Sequence, residues 1–162
     1  MVKIYVIGAP GSGKSTYARA LSKKLDTPAF DLDDLKWENG DMSRFYSKKR
    51  DKSERIALLS TLLAQNKNWI CEGVYFRDWI TPVIEQADEI IILQPPLWER
   101  QYRVVRRAVR RALGLEPSKH KTNIAKTWAL LKWAHIYDTE YLPQAMEKIH
   151  KAGKKYTILK KY

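Results

Sequence analysis

Cysteine is almost absent from these 162 residues: Cys71 stands alone, so no internal disulfide can form and a reducing cytoplasm is the expected setting. Long apolar runs are missing too. Nothing approaches the roughly 18–20 residues that a membrane-spanning helix needs, and the stretch Ile4 to Ile7 is too short for the apolar part of a signal peptide. The three histidines, His120, His135 and His150, share no metal-ligand spacing. No repeat or low-complexity tract occurs, and 44% hydrophobic residues exclude disorder by composition. Negative charge is short, and unevenly so. Lys and Arg number 30 against 18 Asp and Glu, a net charge of +12. Residues 1–99 carry 14 of each sign; residues 100–162 carry 16 basic and 4 acidic side chains. Such an excess suits nucleic acid, an acidic membrane surface or a phosphate-rich substrate.

What is present alternates. Val2 to Ile7, a β-branched run, Ala29 to Leu32, Trp69 to Cys71, Glu89 to Leu93 and Tyr156 to Leu159 read as short strands. Between them helical spacing predicts Thr16 to Leu25 (Ala18, Leu21 and Leu25 inward), Ser53 to Gln65 (Ile56, Leu59 and Leu63 inward) and Asp78 to Gln86. Helices follow over Pro96 to Leu113, with Tyr102, Val105, Val109 and Leu113 on one stripe, over Asn123 to Asp138, and from Pro143 to Gly153. Lys36 to Lys52 is polar and irregular, and Gly114 to Thr122 is a loop. Strands alternating with helices predict one α/β domain over residues 1–162, with a five-stranded, mainly parallel sheet. Six Trp and nine Tyr are many for this length. Scattered as they are, they read first as packing, with a base-stacking surface as the alternative.

The segment Gly8-Ala9-Pro10-Gly11-Ser12-Gly13-Lys14-Ser15, then Thr16, satisfies G-x-x-x-x-G-K-[ST] between a strand and a helix. Its glycines let backbone N–H groups curl around an anion, and the helix N-terminus adds its dipole. Lys14 is expected to reach the β- and γ-phosphates of ATP, and the Ser15 hydroxyl to ligate Mg²⁺. No N-K-x-D guanine-reading motif follows, since Asn66-Lys67-Asn68-Trp69 lacks the Asp. No strand ends in Asp-Glu, as motor ATPases require. Small phosphotransferases remain.

Three further segments recur in order with this loop: Asp31-Leu32-Asp33-Asp34-Leu35-Lys36-Trp37, Trp69-Ile70-Cys71-Glu72-Gly73-Val74-Tyr75, and the Arg-rich helix after the fourth strand. Together they resemble the DNA topology modulation proteins, adenylate-kinase-related members of the nucleoside monophosphate and shikimate kinase superfamily. The resemblance covers most of the chain. It implies a three-layer P-loop fold with strand order 2-3-1-4-5, helices on both faces and a helical lid. Relatives usually have Asp-Gly-Asn-Tyr where this chain has Glu72-Gly73-Val74-Tyr75, and often Pro-Gly-Trp where it has Glu38-Asn39-Gly40. Both departures fall on the acceptor side and leave the ATP side untouched.

Asp31 and Asp33 project to one side of an extended chain at a strand's C-terminal end, where open α/β sheets place ligands. In related hydroxyl kinases a D-x-D here holds the acceptor, making Asp33 the expected acceptor-binding group or base. The competing role is to cap the next helix, expected of Asp33 or Asp34. Glu72 is expected to hold a magnesium-bound water, Gly73 to admit substrate close to the backbone, and Arg77 to clamp an acceptor phosphate or simply lie on the surface. Trp37 and Tyr75 complete the expected acceptor cleft. Arg100, Arg103, Arg107 and Arg111 fall on one helical stripe, and Arg106 and Arg110 widen it; such a helix is costly without an anionic partner. The resemblance implies that Arg103 and Arg107 contact the transferred phosphoryl group. The segment 36–52 is expected to close over the acceptor, and a basic lid over about 100–135 to close over the phosphates. The reading is an ATP- and Mg²⁺-dependent phosphotransferase acting on a nucleotide-like or other hydroxyl-bearing small molecule. The alternatives are a nucleic-acid-associated ATP-binding switch or polynucleotide end kinase, using the basic C-terminal part, and a kinase that binds nucleotide without turnover.

Overall fold

Tyr5, Val6 and Ile7 are buried on both sides of their strand, the condition of a strand at the centre of a covered sheet. In the computed structural model, which describes residues 1–38, 48–116 and 124–161, this strand is β1 (Lys3–Gly8). It leads into α1 (Lys14–Leu25), β2 (Ala29–Asp31), α2 (Leu32–Lys36), α3 (Lys52–Gln65) and β3 (Trp69–Gly73). A 3₁₀ turn (Asp78–Ile80), α4 (Thr81–Gln86), β4 (Glu89–Leu93), α5 (Leu97–Ala112) and α6 (Ile124–Ile136) follow. A π turn (Tyr137–Tyr141), α7 (Leu142–Lys151) and β5 (Tyr156–Leu159) complete the order. The sheet runs β2-β3-β1-β4-β5, and every pairing is parallel. The expected order holds, and "mainly parallel" becomes wholly so among the described residues.

Alternate side chains divide the core in two. Tyr5, Ile7, Cys71, Ile90 and Ile92 meet Leu59, Leu63, Trp79, Ile84, Leu142 and Ile149 on one face. Ile4, Val6, Ile70, Ile91 and Leu93 meet Ala18 of α1, with Leu21 against them, on the other. Each large side chain buried this way contributes about 1.5–3 kcal/mol before chain entropy is charged against it. The register sets the site. Asp31 lies opposite Glu72, Ile7 opposite Gly73, and Gly8 opposite Leu93, so the C-terminal ends of β1 to β4 share one rim.

Three expectations about faces and one about a cap need correction. In α3, Leu59 and Leu63 are buried but Ile56 is 38% exposed, while Arg55 turns inward and sets its guanidinium over the Trp79 ring. Leu25 of α1 is likewise 38% exposed. Asp31, not Asp33 or Asp34, caps α2, its carboxylate accepting from the Asp33 amide at 2.9 Å. In α5 the stripe of Tyr102, Val105 and Val109, with Leu113 at its C-cap, is exposed, and the opposite face, carrying Arg100 and Val104, is the buried one. The inverted helix is held by carboxylates. Asp138 of the π turn takes Arg100 in a two-point ion pair, Glu99 takes Arg103, and Glu116 stands near Arg110 and Arg111. The helix therefore has protein anions of its own, which weakens the inference that its charge must await a ligand.

Candidate active site

The loop after β1 is shaped by what its glycines avoid. A Cβ on Gly8 would stand 2.5 Å from Ser12 Oγ and 2.8 Å from the Leu93 carbonyl. At Gly11 it would stand 2.3 Å from the Arg100 carbonyl, and the residue already has φ +79°. The loop is thus seated against the first turn of α5. Gly13, with φ 86°, opens α1, whose first turn carries no acidic side chain. The donors and positive dipole end of a twelve-residue helix face the loop without a competing carboxylate. The Ser12 amide donates to the Ala9 carbonyl at 3.1 Å, while its hydroxyl is fully buried without a hydrogen-bond partner. Ser15 is half-buried and Thr16 exposed.

Lys14 leaves α1 toward β3, its ammonium 4.0 Å from Glu72. That distance is an ion pair without a hydrogen bond, and Glu72 Oε2 is buried with no other partner. Asp31 lies beside it in register. Burial, then the neighbouring Glu72 and Asp33 carboxylates, push the Asp31 carboxyl up to about 6, against the opposing pull of its bond from the Asp33 amide and of Lys14. Asp33 is exposed at the front of this group, and the Tyr75 hydroxyl donates to its Oδ1. Burial and the Asp33 charge hold the Tyr75 phenol far above its ordinary range, so it stays a donor. The buried Tyr5 hydroxyl donates in turn to the Tyr75 carbonyl and fixes its backbone.

Lys36 and Trp37 close the open side. The Lys36 ammonium lies 4.5 Å from the centre of the Tyr75 ring and 5.0 Å from that of Trp37. Partial burial holds it below the usual lysine range. Arg50 keeps this corner in place, donating to the Asp34 carbonyl at 2.8 Å and the Trp37 carbonyl at 2.7 Å. An antiparallel bridge pairs Trp37 with Lys49. The expected closing segment therefore starts and ends at the cleft, but 39–47, with Asn39 and Gly40, lies outside the described residues, as does 117–122 of the expected loop.

The structure brings Lys14, Asp31, Asp33, Trp37, Glu72, Gly73 and Tyr75 to one rim, with Gly73 tight against Leu32 and Tyr75 and Ser15 next to Lys14 on α1. Arg103 joins them, its guanidinium donating to the Ser12 carbonyl at 3.1 Å. Arg107 sits a turn farther on, half-buried, where desolvation and Arg111 lower its guanidinium pKa. Arg77 is exposed. Arg100, expected on the same stripe, is 1% exposed and bound to Asp138. Sequence reasoning passed over Lys36, Arg50 and Tyr5. A basic residue between an acidic run and Trp37 was a usable signal for the first; nothing local marks the other two.

No protein-family model matches the chain. It is 30% identical over 147 residues to the uncharacterized protein YqaC of Bacillus subtilis strain 168, covering 91% of this chain and 79% of that protein. Shikimate kinase from Acinetobacter baumannii, solved with shikimate, superposes with a TM-score of 0.57 at 19% identity, covering 100% of this chain and 84% of the other. A gluconokinase from Sinorhizobium meliloti gives 0.52 at 15% identity, with 93% and 92% covered. At these identities the two structures speak for the fold: a P-loop kinase fold with the observed strand order.

Proposed function

The chain belongs to the family of YqaC, whose name carries no activity, and from the cleft itself we propose that it is an ATP-dependent phosphotransferase for a small hydroxyl-bearing acceptor. The narrower likeness to the DNA topology modulation proteins rests on sequence motifs alone. One observation carries the reading: a phosphate loop and a carboxylate held ready for a hydroxyl open on the same rim, joined through Lys14 and Glu72. Gly8 to Thr16 would hold the triphosphate, with loop amides and the Lys14 ammonium toward the β- and γ-phosphates.

Tyr75 occupies one Asp33 oxygen and leaves the other for the acceptor hydroxyl. As the acceptor oxygen bonds to the γ-phosphorus and the bond to the β-bridging oxygen breaks, the hydroxyl proton passes to Asp33. Arg103 and Lys14 neutralise charge growing on the transferred group. Trp37 and Tyr75 offer flat faces to a ring-bearing acceptor, and Lys36 offers an acceptor anion a charge. Mg²⁺ fits the set: Ser15 would hold it directly and Glu72, whose buried Oε2 accepts no hydrogen bond, through water. When bound with nucleotide, the ion spreads phosphate charge and aligns the leaving group.

Lys14→Ala tests the reading. ADP release is measured against nucleoside monophosphates, nucleosides, hydroxy acids and 5′-hydroxyl oligonucleotides, with thermal melting as a check on folding. The wild type turns over with at least one acceptor, and a folded Lys14→Ala chain loses about 10²-fold or more with it. Wild type that binds ATP yet is inert with every class, or full turnover by the variant, overturns the proposal.

A further inference from the structure

Most aromatic side chains are spent on packing. Of the described Phe, Tyr and Trp residues, only Trp98, Tyr102 and Trp128 are exposed, at 69%, 61% and 71%. All three stand on α5 and α6. Tyr102 and Trp128 line the same hollow of about 530 Å³, one from each helix, with Val105, Leu131, Gln101 and Lys132. These two helices also hold the charge excess. Arg106, Arg110 and Lys132 are exposed along them. Their single carboxylate, Glu99, is bound to Arg103, and Glu116, just past α5, stands with Arg110 and Arg111.

We infer that this outer face of α5 and α6 binds single-stranded nucleic acid, bases stacking on Tyr102, Trp128 and Trp98 and backbone phosphates meeting Arg106, Arg110 and Lys132. The inference is independent of the proposed phosphotransfer, because none of these residues belongs to the cleft. Charge selects the occupant. A second copy of the chain would set cation against cation, so the partner is an anion. The apolar contribution selects further: rings exposed on both sides of one hollow fit flat, uncharged groups spaced along a negative backbone, and every base has a face to stack. Tryptophans exposed by about two-thirds of their surface also leave a large apolar area in water that a monomer does not normally keep without use.

The test is the fluorescence anisotropy of a labelled oligothymidylate of about twelve nucleotides, titrated with the full chain at about 50 and about 200 mM NaCl. Three phosphate contacts give a salt slope of about −2, so this rise in salt weakens binding about 20-fold. Trp128→Ala with Tyr102→Ala removes two stacking surfaces and weakens binding at low salt by about tenfold or more. Melting temperature stays as in wild type, since both side chains are exposed. Arg106→Ala with Lys132→Ala flattens the salt slope while stacking persists. The inference is overturned if no binding appears at the lower salt, or if the aromatic variant binds like wild type. It is equally overturned if inorganic polyphosphate of the same charge competes as well as the oligonucleotide, or if an acidic amphipathic peptide or anionic vesicle binds where the oligonucleotide does not.

Discussion

Asp31 caps α2 and also stands between two other carboxyls, and the two duties pull its proton in opposite directions. The bond from the Asp33 amide favours the charged form; burial and the Glu72 and Asp33 charges outweigh it and leave the carboxyl near 6. A folded-state pKa above the unfolded value means that the folded chain holds this proton more tightly. The resulting stabilisation is present in full below about pH 4 and is lost as pH rises through about 6. Above that the ionised group is a cost on folding of about 1–3 kcal/mol at most. An asparagine at this position would keep the cap and carry no charge. Asp31→Asn is therefore expected to melt within a degree or so of wild type at about pH 4 and a few degrees above it at about pH 8. A constant offset across the range would show that the carboxyl is not the cause. Nothing around Asp31 in the chain announces this. Its partner Glu72 is far away in sequence and arrives by parallel register, as Tyr75 arrives at Asp33 across 42 positions. Gly8 to Ser15 was legible because a phosphate loop is a local device, its residues contiguous and its chemistry mostly backbone. The proposed acceptor side assembles from β2, α2 and β3, so its members could be named but not their bonds.

The arginine helix shows the limit of periodicity for whole elements. Spacing correctly divides α5 into an apolar and a basic face, but a period does not say which face meets the body of the protein. Usually apolar burial decides. Here the basic face wins because Arg100 finds Asp138, 38 positions on, and Arg103 finds the Ser12 carbonyl, 91 positions back. Central strands such as Glu89–Leu93 were legible for the opposite reason, since a run buried on both faces needs no choice of side. The Arg100–Asp138 pair should then be what docks α5 on the π turn. Asp138→Ala leaves a guanidinium only 1% exposed without its carboxylate, and a loss of about 3 kcal/mol is expected. It is read as a lower urea midpoint at unchanged slope. Replacing both partners, as Arg100→Met with Asp138→Leu, should recover most of it, because the pair's own desolvation cost disappears with the charges. Failure of the double variant to recover would assign the loss to packing of the π turn instead.

At the scale of the molecule two kinds of positive charge are superposed, and they should separate by experiment. One is diffuse: residues 100–162 hold 16 basic side chains against 4 acidic ones, while residues 1–99 are balanced at 14 each. Asp138, Glu99 and Glu116 pair locally with some of these basic side chains, and the net excess repels itself across the surface and opposes folding. The other kind is local, the loop amides, the α1 dipole and Lys14, gathered at the proposed phosphate site. Ordinary salt screens the first; about 0.3 M NaCl should raise the melting temperature by a few degrees over low salt, wherever the charges sit. A phosphate-bearing ligand engages the second through binding. Pyrophosphate or ATP present at about 100 times its dissociation constant should add about 2.7 kcal/mol, at concentrations far too low to screen anything. Lys14→Ala should keep the sodium chloride effect intact and lose most of the ligand effect. If the variant loses both together, the charge at the loop and the charge of the basic half act as one field. If it keeps both, the ligand is held by the basic surface and the loop is not its site.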